Sequence, residues 1–111
     1  MTPEKMLFTA ALGLQSPWFV SDVELDTAAS RIDIRIEFAE GSRFACPACG
    51  AEAQRVHDTR ERSWQHLHLF EHRAYLHARI PRVRCGECGK TTQVEVPWAR
   101  PQTGFTMLFE A

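Results

Sequence analysis

The sequence predicts a small α+β fold dominated by β-strands, with an amino-terminal β-hairpin, two cysteine knuckles and short terminal helices. Three observations lead to this reading. Ile32, Ile34, Ile36 and Phe38 alternate strictly with Arg31, Asp33, Arg35 and Glu37, the period-two pattern of a half-buried strand. A second alternation puts Phe70, His72, Ala74, Leu76, Ala78 and Ile80 on one face, and Leu69, Glu71, Arg73, Tyr75, His77 and Arg79 on the other. The run Cys46-Pro-Ala-Cys49-Gly50 recurs as Cys85-Gly-Glu-Cys88-Gly89.

Taken in order, Thr2-Pro3-Glu4 supplies a helix start: Thr as cap, Pro in the first turn, Glu near the positive end. Met6, Leu7, Ala10, Ala11 and Leu14 are expected on its buried face, with Gly13 as the carboxy-terminal cap. FVSDVELD and RIDIRIEFAE form a hairpin turning at Thr27 to Ser30, with Val23 and Leu25 supplying the first strand's apolar face. RFACPACGAEAQRVHD carries one strand into the first knuckle and another out of it. The second alternation either bends into a hairpin or runs as one strand into the second knuckle, and KTTQVEV returns. PWARPQTG reads as a linker and FTMLFEA as the start of a helix. Three regions are expected: 1–42, a helix and hairpin packed on the next unit; 43–96, the cysteine-bearing domain; and 97–111, a linker and helix start. Met107, Leu108 and Phe109 end the chain as an apolar cluster, which suggests an excerpt of a longer protein.

At 111 residues with 44% hydrophobic content, one globular domain is expected, with a core small enough to benefit from a metal staple. MLFTAALGL is about half the length of a membrane span, and no cleavage-site pattern follows it. The expected setting is therefore a reducing, intracellular compartment without a membrane, where disulfides are rare. Charge divides along the chain. Residues 1–42 hold three basic and seven acidic residues, a net −4, while residues 43–100 hold ten basic and six acidic, a net +4. A basic half permits contact with nucleic acid.

Cys46, Cys49, Cys85 and Cys88 have the spacing of a four-thiolate metal site, and a ribbon of two hairpins each tipped by a CxxC turn follows from it. Gly50 and Gly89 stand where the backbone must curl toward the sulfurs. One structural zinc ion is the expected cofactor. A rubredoxin-like iron site shares the ligands, whereas a redox pair lacks the βαβ context and two disulfides require oxidising surroundings. A catalytic zinc keeps an open position, which four cysteines do not leave. His66 and His68 alternate without a carboxylate cluster and read as surface or interface residues; His57 reads as packed or hydrogen-bonded rather than ligating.

No P-loop, GxGxxG or nucleophile with an evident base is present, so a small-molecule substrate is not expected. Surface recognition remains. Arg55, His57, Arg60 and Arg62 after the first knuckle, and Arg82, Arg84 and Lys90 around the second, form the candidate nucleic-acid surface. The bland counterpart is a solvated charged strand face with Trp64 as a core anchor.

The stretch CPACG…RVHDTRERSWQHLHLFEHRAYLHARIPRVRCGECG…VEVPWARPQTGFTMLFEA resembles the amino-terminal region of ISL-type insertion-sequence transposases. The resemblance implies that Cys46, Cys49, Cys85 and Cys88 ligate zinc in a zinc-ribbon-like domain. It implies help in binding double-stranded DNA at the terminal inverted repeats, in a bacterial, nucleoid-associated setting. It also implies a full-length recombinase with three acidic catalytic residues downstream, so Asp22, Asp26, Asp33 and Asp58 do not take that role and this chain is not expected to be an enzyme. Self-association, motivated by the acidic hairpin and the apolar end, is the alternative. A fragment that modulates transposition is another.

Overall fold

The computed structural model describes residues 3–69 and 72–99. Helix α1 (Pro3–Ala11) precedes six strands: β1 (Trp18–Asp26), β2 (Arg31–Phe38), β3 (Arg43–Phe44), β4 (Gln54–Leu69), β5 (His72–Arg84) and β6 (Thr91–Gln93). The fold is thus α+β and strand-dominated. No helix among the described residues is long and apolar enough to cross a membrane. The helix expected in FTMLFEA lies outside the described residues.

Helix α1 ends as Gly13 predicts. Gly13 takes φ +68°, and its N–H donates to the Ala10 carbonyl while Leu14 N–H reaches back to the Thr9 carbonyl, each at 3.0 Å. That pair of bonds is the Schellman cap. The buried face differs from expectation. Leu14 packs on the core as expected, but Met6 and Leu7 are 59% and 64% exposed, Ala10 and Ala11 are exposed too, and Phe8 and Leu12 pack on the core instead. Phe8 and Leu12 stand four apart and so share a face, and the ring of Phe8 buries more apolar area than the alanines could. Thr9 fixes this orientation, its hydroxyl accepting the Val20 N–H at 3.0 Å.

Strands β1 and β2 pair antiparallel from Trp18 opposite Phe38 to Asp26 opposite Arg31. Residues 27–30 make the turn, where Asp26 Oδ1 accepts the Ala29 N–H at 3.1 Å. From His72 on, the second alternation runs as one strand, β5, into the second knuckle, and β5 forms a hairpin with the preceding β4, with Trp64 opposite Leu76 and His66 opposite Ala74. The sheet order is β1-β2-β5-β4-β3, with β6 also on β5. Strand β5 is central and changes neighbour along its length. Residues Arg73 to Ala78 pair parallel with β2, and Arg82 to Arg84 pair antiparallel with β6. Pro81, which has no N–H to give, stands in the gap between those neighbours.

One face of the sheet carries the core: Trp18, Val20, Ile32, Ile34, Ile36, Trp64, Leu76 and Ile80. Val96, Trp98 and Ala99 close over it. Trp98 meets Trp18 edge-on at 5.0 Å and Trp64 edge-on at 5.3 Å between ring centres, the arrangement favoured by aromatic quadrupoles. Residues 97–99, expected to open a linker, therefore include two core residues, 7% and 1% exposed. Pro97 directs the chain there, but the turn leads inward because Trp98 offers the largest apolar surface in that stretch.

The opposite face is a set of ion pairs. Arg31 donates to both oxygens of Asp33, and Arg35 donates to both oxygens of Glu61 at 2.7 and 2.9 Å. Asp33 also meets His77 Nε2 at 2.6 Å, and Arg79 reaches Glu37 at 3.4 Å. The acids and bases that alternate along β2 and β5 largely neutralise one another.

Candidate metal centre and nucleic-acid interface

Each knuckle is a tight turn at a hairpin tip, the first joining β3 to β4 and the second joining β5 to β6. Their backbones match bond for bond. Cys46 N–H donates to the Ala51 carbonyl at 2.8 Å and Gly50 N–H to the Cys46 carbonyl at 2.8 Å. In the second knuckle Cys85 N–H donates to the Lys90 carbonyl at 2.9 Å and Gly89 N–H to the Cys85 carbonyl at 3.0 Å. Gly50 at φ +80° and Gly89 at φ +73° close the turns in the left-handed region. A Cβ at either position would meet nothing within 4 Å, so the requirement for glycine is conformational rather than steric.

The turns bring the four sulfurs of Cys46, Cys49, Cys85 and Cys88 within 4.8 Å of one another. Across the knuckles, Cys46 Sγ lies 3.8 Å from Cys88 Sγ, and Cys49 Sγ lies 3.6 Å from Cys85 Sγ. A tetrahedron of thiolates with zinc–sulfur bonds of about 2.3 Å has edges of about 3.8 Å. All four cysteines are free thiols. Cys46 and Cys85 are buried; Cys49 and Cys88 are exposed.

The electrostatics ask for a cation. Glu87 N–H and Cys88 N–H point at Cys85 Sγ from 3.3 and 3.4 Å. The Cys88 and Glu87 amides bring the Cys85 thiol down to about 7 against the opposing effect of burial. The Cys49 and Ala48 amides lower Cys46 in the same way. Cys49 is pushed up to about 12: the Ala51 amide acts downward, but Cys85, burial, Cys88 and Cys46 together outweigh it. Thiolates this close repel one another, and a dication removes the conflict. The donor set fits one structural Zn²⁺, which would fold the knuckles around itself and leave no coordination position open.

One residue absent from the expected site ties the knuckles together. Gln54 Oε1 accepts the Gly86 N–H at 3.0 Å, and Gln54 Nε2 donates to the Glu52 carbonyl at 2.7 Å. Its position at the start of β4, just past the first turn, was the only signal for it.

The candidate basic residues divide into two kinds. Arg82 is engaged: its guanidinium grips both oxygens of Asp58, its cross-strand partner on β4, with Nε 2.5 Å from Oδ1. That contact holds Asp58 below the usual carboxylate range. Arg62 is half-buried and lies over the Trp64 ring at 5.6 Å. Arg55, His57, Arg60, Arg84 and Lys90 are exposed. Among the described residues no carboxylate forms an ion pair with Arg55, Arg60, Arg84 or Lys90. His57 sits at the bulge between Val56 and Asp58 and is not part of the four-cysteine cluster. Trp64 is 2% exposed, a core anchor. Arg43, directly opposite Arg55, belongs with the exposed cations and was not singled out from sequence.

Two matching knuckles on paired hairpins, sharing one tetrahedral sulfur site, define a zinc ribbon. Residues 42–88 match the family model described as the zinc-finger of transposase IS204/IS1001/IS1096/IS1165. The chain is 30% identical over 109 residues to the transposase for insertion sequence element IS1557, found in two strains of Mycobacterium tuberculosis. That alignment covers 94% of this chain and 24% of each relative, so the chain spans about a quarter of their length. No solved structure matches. Over residues 42–88 the chain is accordingly similar to that transposase zinc-finger.

Proposed function

We propose that this chain is a DNA-recognition module: a zinc-stapled domain that helps a transposase bind the terminal inverted repeats of its element, and that does not itself catalyse strand transfer. The observation carrying this reading is the sorting of its cations. On the sheet's outer face the arginines at 31, 35 and 79 are each bound to a carboxylate, while Arg73 beside Arg31 reaches the Ala29 carbonyl. Around the knuckles Arg55, Arg60, Arg84 and Lys90 are exposed without one among the described residues. Guanidinium groups left in that state suit phosphates and guanine edges. In this reading Asp58 holds Arg82 in place as a buttress, and zinc fixes the hairpins that present the free cations. The family match and the transposase relatives support the same direction, and the cytoplasm is the corresponding setting. Fluorescence anisotropy of the zinc-loaded chain with duplex carrying an inverted repeat tests it. Salt-sensitive binding is expected, and absence of binding at low salt overturns it.

A second reading, self-association that pairs two transposase ends, draws on a different observation. β1 is an edge strand, and Leu25 on it is 58% exposed. Sedimentation over a wide concentration range separates the two, since a strict monomer excludes this second role.

A further inference from the structure

We infer that Arg43 and Arg55 form a phosphate-binding notch, distinct from the zinc site, that takes a backbone phosphate of nucleic acid; this rests on the DNA-recognition reading. The two residues are direct cross-strand partners on β3 and β4. Such partners hold their Cβ atoms about 5 Å apart, and two like charges there repel unless an anion lies between them. Both side chains are exposed. Neither forms an ion pair with a carboxylate among the described residues.

The pair borders a cavity of about 340 Å³ that Phe38, Gly41, Ser42 and Val56 complete. Gly41, at φ +79°, turns the chain from β2 toward β3 and so delivers Arg43 to the rim. The nearest acid in sequence on that side, Glu40, lines the adjoining cavity with Glu37 and Arg79 instead. The Ser42 hydroxyl is committed to the Ala39 carbonyl, so the notch offers guanidinium donors rather than a hydroxyl. Two planar forks lining one cavity suit the oxygens of a phosphodiester. One residue beyond the Val56–Val83 pair stand Arg55 and Arg84, so a further cation lies on the next strand. Neighbouring strands are about 4.8 Å apart, which makes the base of the knuckles a short ladder of positive charge.

The test is duplex binding by the zinc-loaded chain as a function of salt, for wild type, Arg43→Gln, Arg43→Lys and Arg79→Gln. Loss of one phosphate contact lowers the slope of log K against log salt by about 0.9, equivalent to about eightfold in affinity at 0.1 M salt. Arg43→Gln is expected to show that loss equally on specific and random duplex, with zinc content unchanged. Arg43→Lys is expected to keep the slope, and Arg79→Gln, whose charge Glu37 already holds, to leave it intact. Wild-type binding with an unchanged slope in Arg43→Gln overturns the notch and leaves the DNA reading standing. A wild type that fails to bind duplex at low salt overturns that reading and the notch's ligand with it. Inorganic phosphate that shifts the Arg43 and Arg55 side-chain resonances, while Arg43→Gln still binds duplex normally, reassigns the notch to free phosphate and overturns the proposal.

Discussion

Gln54 Oε1 and the Gly86 N–H, 3.0 Å apart, join the exit of the first knuckle to the turn of the second. This bond links the two half-sites in addition to the metal and the β4–β5 ladder. Gln54→Ala is expected to cost about 1 kcal/mol, the ordinary worth of a hydrogen bond, and to speed zinc loss to a chelator. Gln54→Glu keeps an acceptor and should lose zinc more slowly than the alanine variant. Chelator-competition kinetics on the two variants check this.

The knuckle and core are separate sources of stability, and metal removal should expose the difference. In hydrogen exchange, chelation or Cys85→Ser is expected to abolish protection of the Cys46, Gly50 and Gly89 amides, whose bonds close the two turns. Amides of Ile34 and Leu76, in the fully buried sheet centre, should retain protection longest. Unchanged protection in the knuckles of the apo chain would refute a structural role for zinc.

Trp98 tests how far the domain extends. Its ring touches both Trp18 and Trp64, so Trp98→Ala is expected to cost about 3–5 kcal/mol in denaturant unfolding. A cost below about 1 kcal/mol would mean that residues 97–99 are peripheral after all.

Acid should act on the sheet as well as on the metal. Burial holds the His66 imidazole below its ordinary value, so the folded chain prefers it neutral. A histidine lowered in the folded state contributes its full stability above the unfolded value of about 6.5, and that contribution declines as pH falls below it. With zinc in excess, stability of the wild type should fall more steeply between about pH 7 and pH 5.5 than that of His66→Gln. Equal slopes would show that His66 contributes nothing to the acid sensitivity.

Much of this was readable in the residues. The Ile32–Ile34–Ile36 alternation places β2 correctly, and the Thr27–Ser30 turn falls in the gap between the two strand runs, as expected. The paired CxxCG turns anticipate the sulfur cluster because the ligands and their glycines are local. What escaped depends on contacts between distant segments. Nothing within Met6 to Leu14 says that Phe8, rather than Met6 or Leu7, meets the sheet, since the choice is made by the shape of the core. Trp98 looked like part of a linker because its partners, Trp18 and Trp64, are 80 and 34 residues away in the chain. The parallel pairing of β2 with β5 leaves no local mark. Likewise Arg82 and Arg84 look alike in sequence, and only the register that sets Asp58 opposite Arg82 tells them apart.

That last distinction gives the most direct test of the central claim, that free cations beside a zinc-held scaffold contact DNA. The measurement is duplex affinity against salt for zinc-loaded wild type and for the double variant Arg55→Gln, Arg84→Gln, with zinc stoichiometry measured on both. The account predicts steeply salt-dependent binding by the wild type, a slope reduced by about 1.8 in the double variant, and one bound zinc in each. Equal affinity and slope in the two proteins, or no binding by the wild type at low salt, would contradict it.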